Sequence, residues 1–233
     1  MKNSESMRPV APAVAERYDL IEPLGVTILA TTYMARERAT GVQRVVQVPR
    51  AVIQESSEPF HRFREVAERV RQIEHPHHLP IHEVGSEENQ VWVIYKLEES
   101  PTVRDLLQDG ISLGKALDLV SQVAEGLDAA HQAGITHGDI QPSNVFWRQD
   151  STALLMDFGV ALLAEGVHPL MRESLTTPQP PYLAPELAHG DGPTQASDIY
   201  ALGCLLYEIV TGQPPFFGTI TAAIFAKQRA HGL

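Results

Sequence analysis

The spacing of apolar and polar positions changes character once along this chain. Tyr18 to Leu24, Thr32 to Arg38 and Gln43 to Val48 are short runs of β-branched or apolar residues, separated by Gly25 and the turn Ala39-Thr40-Gly41. Runs of this kind between turn residues predict three antiparallel strands. Phe60, Phe63, Val66, Val70 and Ile73 then recur at helical spacing, on one face of a predicted helix from about Pro59 to Glu74 that ends at His75-Pro76. Val84-Gly85, a polar tip from Ser86 to Gln90 and the run Val91-Trp92-Val93-Ile94-Tyr95 predict a hairpin.

After Glu98 the pattern is mostly helical. Leu113, Ala116, Leu117, Val120, Val123, Ala124, Leu127 and Ala130 mark a long amphipathic helix that should stop near Gly134. Ala153-Leu154-Leu155-Met156 reads as a short buried strand, and Ser197 opens an apolar helix reaching Val210. A last helical segment is expected from about Thr219 to Arg229. The expected class is α+β, a small sheet with one helix followed by a mainly helical half.

Composition narrows what such a chain can do. With 233 residues, 43% hydrophobic and 20% charged, it has enough apolar content for one substantial core or two small lobes. The net charge is −11 and the lysines are Lys2, Lys96, Lys115 and Lys227, so no basic stripe exists to displace counterions from a nucleic acid. Nucleic acid is therefore not expected as a partner. Cys204, the single cysteine, sits in an apolar run, which suggests a core thiol and a reducing, cytoplasmic setting. No run approaches the length of a membrane span, and residues 1–16, broken by Pro9 and Pro12, read as a flexible leader. His75, His77, His78 and His82 lack the Cys or carboxylate pattern that would complete a zinc site.

The chemistry is concentrated in His137-Gly138-Asp139-Ile140-Gln141-Pro142-Ser143-Asn144 and in Asp157-Phe158-Gly159. An Asp able to receive a hydroxyl proton, an Asn shortly after it and a second Asp before Phe-Gly are the parts that hold Mg²⁺ and a nucleophile for phosphoryl transfer. With Leu24-Gly25, His75-Pro76, Ala184-Pro185-Glu186 and Ser197-Asp198-Ile199-Tyr200-Ala201-Leu202-Gly203 in this order, the chain from Tyr18 onward resembles bacterial serine/threonine protein kinases. The resemblance implies a two-lobed kinase-like fold, with the upper lobe over 17–98 and a lower lobe over 99–233 that lacks the family's last helices. It implies Asp139 as the catalytic base, and Asn144 and Asp157 as holders of Mg²⁺. It also implies an ATP site framed by Gly25, Val45, Gln47, Tyr95 and Phe146. His137 and Phe158 would join Val70 and Ile81 in a column linking the lobes. A protein substrate or protein partner is implied.

The same resemblance exposes departures at the phosphate end. Thr27 and Ala30 stand at two of the three loop glycines, where a Cβ obstructs close approach to phosphate. Gln47 stands at the lysine that would hold the α- and β-phosphates, and Val66 at its carboxylate partner, with Glu65 one residue away and expected to pair with Arg69. Gln141 replaces a lysine beside the transferred phosphoryl group, Gly138 an arginine, and Gln179 a threonine that touches the catalytic Asp. Ser174, Thr176 and Thr177 are candidate phosphorylation sites. The leading expectation is a pseudokinase that serves as a binding or signalling module. The alternative is an active serine/threonine kinase, because Asp139, Asn144 and Asp157 are all kept.

Overall fold

The computed structural model describes residues 10–27, 29–50, 58–87, 90–165, 180–188 and 192–216. Five antiparallel strands form the upper sheet: β1 (Tyr18–Val26), β2 (Ala30–Glu37), β3 (Gln43–Pro49), β4 (Ile81–Glu87) and β5 (Gln90–Lys96), in the order β1-β2-β3-β5-β4. Two helices belong to it, α1 (Pro12–Arg17) and α2 (Glu58–Arg71). Strand β5 is buried from Val91 to Tyr95 without alternation, because both of its faces are covered. Val91, Val93 and Tyr95 pack with Phe60, Phe63 and Ala67 of α2, whereas Trp92 and Ile94 pack with Ala11 and Val14 around α1. The two-residue period of the strand thus sorts its side chains into two cores.

Helix α1 corrects the expectation of a flexible leader as far as residue 16. Val14 and Ala11 are buried, the Ala13 N–H donates to Glu87 Oε2 at 2.7 Å, and Arg17 pairs with Glu83 at 2.6 Å. The proline that looked like a breaker lies in the first turn of α1, where its missing N–H costs no helical hydrogen bond. Residues 1–9 lie outside the described part.

On β4, Gly85 faces the ring of Trp92. A Cβ there would lie 2.3 Å from Trp92 Cε2. Since the indole is buried, Gly85→Ala is expected to lower stability by about 1–3 kcal/mol through overpacking. Denaturant unfolding checks this.

The lower lobe contains α3 (Val103–Leu106), α4 (Leu113–Gln132), the pair β6 (Val145–Trp147) and β7 (Ala153–Leu155), α5 (Leu162–Glu165), α6 (Pro185–Ala188) and α7 (Gln195–Thr211). Helix α4 starts at Ser112, whose side chain accepts from the Lys115 N–H, and stops before Gly134, at φ +67°. Thr194 and Ser197 close a reciprocal cap at the start of α7, which ends at left-handed Gly212. Leu119, Val123 and Leu127 of α4 and Ala201, Leu205 and Ile209 of α7 share one core with Phe158, so the helices directly support the loops that follow. No helix of the described residues is long and apolar enough to cross a membrane. The segment expected at 219–229, with Ser174, Thr176, Thr177 and Gln179, lies outside the described residues.

Candidate active site

The loop carrying Asp139 is anchored from below by α7. Asp198, buried at the start of that helix, accepts from the His137 and Gly138 N–H groups at 2.8 Å each and contacts His131 Nε2 at 2.8 Å. Gly138 has φ +80°, and a Cβ there would come within 3.0 Å of Ala161 Cβ, so glycine suits both the backbone and the space. Burial lowers His137 to about 4, which keeps the ring neutral near pH 7. Its Nε2–H then donates to the Met156 carbonyl at 2.9 Å, while Nδ1 accepts from the Asp139 N–H at 3.2 Å.

Phe158 lies between two imidazoles. Its ring centroid is 4.5 Å from that of His137 and 4.8 Å from that of His78. Val70 belongs to the same core as Phe158, and Ile81 packs against that core. His78 Nε2 donates to the Gly126 carbonyl at 2.8 Å, and His77 Nδ1 contacts the Ala153 carbonyl at 3.0 Å. These histidines tie loops to the lower lobe. Among the described residues no group of three or more His, Cys, Asp or Glu is placed to hold a metal.

The carboxylate end is compact and held by neutral amides. Asp139 accepts from Gln141 Nε2 at 2.8 Å on both of its oxygens and from Asn144 Nδ2 at 2.9 Å. Asn144 Nδ2 also donates to the Asp139 carbonyl at 2.9 Å. Burial raises Asp139 to about 7, the nearby Asp157 charge adds to the rise, and the two amides oppose it. Asp157 adopts φ +67°, a left-handed conformation that Asp tolerates better than most residues, and burial raises it to about 6. The bonds made by Asn144 Nδ2 leave its Oδ1 as an acceptor, and Gln47 uses only one oxygen of Asp157. Two hard oxygen donors of this kind suit Mg²⁺, which binds through few protein oxygens plus substrate phosphates. A bound Mg²⁺ would supply charge neutralisation for the phosphates.

At the phosphate end, Gln47 Nε2 donates to Asp157 Oδ1 at 2.8 Å, and the Tyr95 hydroxyl lies 3.5 Å from Gln47 Oε1. Val66 packs on the Asp-Phe-Gly segment: a Cβ on Gly159 would sit 2.7 Å from Val66 Cγ1. Glu65 is exposed, and Arg69 donates to the Ala133 carbonyl, which replaces the expected Glu65–Arg69 pair. In the loop between β1 and β2, Thr27 Oγ1 accepts from the Leu29 N–H at 3.2 Å and the Ala30 N–H at 3.0 Å. Those backbone donors are consumed within the loop. Leu29 is fully buried in the core that holds Val45, Phe63 and Val160.

These elements enclose an interlobe cleft of about 430 Å³. Gly25, Val45, Gln47, Asp139, Asn144, Phe146 and Asp157 all line it. Tyr95 does not. It is 2% exposed and belongs to the core behind Gln47, because odd-numbered residues of β5 face α2. Burial also raises its hydroxyl well above the ordinary tyrosine value. Lys96, Leu97, Glu98 and Met156 line the cleft and were not anticipated. The position of Met156 directly before Asp157 was the available signal.

A β-rich lobe and a helical lobe, with an Asp–Asn–Asp set facing the cleft between them, define a kinase-like protein. The sequence matches the protein kinase domain family over residues 18–231, and the chain belongs to that family. It is 30% identical to the serine/threonine-protein kinase PknB of Mycolicibacterium smegmatis, covering 91% of this chain and 35% of the relative. It is also 30% identical to the probable serine/threonine-protein kinase PknB of Lactococcus lactis, over 95% of this chain and 36% of that protein. The chain thus spans about a third of the length of these relatives. The crystal structure of the Mycobacterium tuberculosis PknI kinase domain superposes with a TM-score of 0.68 at 27% identity, covering 85% of this chain and 75% of that one. The family generally uses ATP and Mg²⁺ and acts on protein substrates.

Proposed function

We propose that this chain is a pseudokinase, a kinase-fold module that engages a protein partner in signalling and transfers little or no phosphate. The observation that carries this reading is the Gln47–Asp157 hydrogen bond. A neutral amide occupies the place of the phosphate-holding cation, with Val66 where its carboxylate partner would be. A hydrogen bond to a charged group contributes about 1.5–3 kcal/mol, so each missing lysine removes roughly ten- to a hundredfold in nucleotide affinity. Gln141 repeats the loss beside Asp139, and Thr27 has captured two loop amides. The buried Cys204 thiol, pushed up to about 12 chiefly by burial, is unreactive and fits a reducing cytoplasmic setting.

A second reading, an active serine/threonine kinase with Asp139 as base and Asn144 and Asp157 holding Mg²⁺, is favoured by one observation. All three still face the same cleft. The two readings separate in a thermal-shift titration with ATP, with and without Mg²⁺, on the chain and on a Gln47→Lys, Val66→Glu double variant. Stabilisation by ATP–Mg²⁺ is expected only in the variant. Transfer of the γ-phosphate by the unmodified chain, abolished by Asp139→Asn, would overturn the pseudokinase reading.

A further inference from the structure

We propose that the interlobe cleft binds a small organic cation with a flat apolar body, in the place a nucleotide takes in active kinases. This inference rests on the reading of the phosphate end as disabled. Among the described residues, the charged side chains lining the cleft are Lys96, Glu98, Asp139 and Asp157. Lys96 and Glu98 stand together at the exit of β5, whereas Asp139 and Asp157 sit deeper, against Gln47, Gln141 and Asn144. Among the described residues neither carboxylate has a cationic partner. Carboxylates removed from water and held only by neutral amides favour an incoming positive charge and oppose a triphosphate.

Gln141 points the same way independently of the carboxylates. It is 4% exposed and lines the cleft, its N–H donors are spent on Asp139, and its Oε1 is buried without a hydrogen-bond partner. A group that only donates hydrogen bonds meets that need, and ammonium and amidinium groups donate without accepting. An anion would add a further acceptor. The same cleft also has apolar walls, with Leu24 and Val45 from the upper lobe and Phe146 and Met156 from the lower. A planar hydrocarbon body fits between them, and an amidinium fork can address carboxylate and amide oxygens together.

Three near-isosteric probes that differ in charge test the proposal on the full chain. Binding of benzamidine, benzamide and benzoate is measured by calorimetry without Mg²⁺. Benzamidine should bind at least about tenfold more tightly than benzamide, and benzoate should not bind. Asp157→Asn should weaken benzamidine by at least about tenfold and leave benzamide unchanged. Equal binding of benzamidine and benzamide, or a benzamidine affinity insensitive to Asp157→Asn, overturns the proposal. The comparison among probes uses the unmodified chain, so it stands even if a variant fails to fold. An ATP–Mg²⁺ titration in the same series keeps the two readings apart. Strong ATP–Mg²⁺ binding would overturn the reading of the phosphate end as disabled, whereas absence of both ATP and benzamidine binding overturns only the cation site.

Discussion

Asp198→Ala is expected to destabilise the chain by about 3–5 kcal/mol, a loss in the range found when one member of a buried polar network is removed. Asp198 is 1% exposed, and its oxygens serve the His137 N–H, the Gly138 N–H and His131 Nε2. Alanine offers no acceptor to any of them, and the two backbone donors lie in a buried loop that water cannot readily reach. Asp198→Asn keeps one carbonyl oxygen and should fall between alanine and the original. The damage should be local first, because His137 carries the ring that packs on Phe158, while the α4 core remains intact. Hydrogen exchange at His137 and Gly138 should accelerate more than exchange in α4, and chemical denaturation gives the global loss. A loss below about 1 kcal/mol, the size of one ordinary hydrogen bond, would show that the anchor is dispensable.

Much of this architecture was legible because it rests on local periodicity. The apolar stripe from Phe60 to Val70 identified α2, and the same stripe placed Val66 inward and Glu65 outward, as the Gly159 contact and the exposed Glu65 show. What the sequence did not reveal depends on pairing between distant segments. Helix α1 was missed because its value lies in covering the outer face of a sheet whose Trp92 and Ile94 are read far along the chain. Tyr95 was placed in the cleft by resemblance, yet strand parity directs it into the core behind Gln47. Gln47 and Gln141 could be read as lost charges. That each would become the neutral partner of a particular carboxylate required the fold. Thr27 is similar: its Cβ signalled a poor phosphate loop, but its hydroxyl capping the Leu29 and Ala30 amides is a three-dimensional fact.

His78→Leu should reverse its effect on stability between neutral and acid pH. Near pH 7 the variant loses the hydrogen bond to the Gly126 carbonyl, an acceptor within α4 that keeps its place in the helix ladder, a cost of about 0.5–1.5 kcal/mol. As pH falls, the histidine itself becomes the liability. Burial lowers His78 to about 4 from an ordinary 6.5, with repulsion from His75 and His77 adding to the shift. Between those values the unfolded chain binds a proton that the folded chain refuses, so stability declines as pH decreases through the window. A shift of this size corresponds to about 3 kcal/mol by pH 4, and leucine removes it. His137 acts in the same direction. Asp139 and Asp157 act in the opposite one, since their raised values make the folded chain bind protons first and gain stability as pH falls from about 7. The unmodified chain should therefore show a shallow acid limb that conceals these opposed contributions. Only the difference between the two proteins isolates His78. Denaturant unfolding across pH 4–7.5 should show the variant weaker at the neutral end and equal or stronger at the acid end, whereas parallel curves would mean that His78 takes up its proton equally readily in the folded and the unfolded chain.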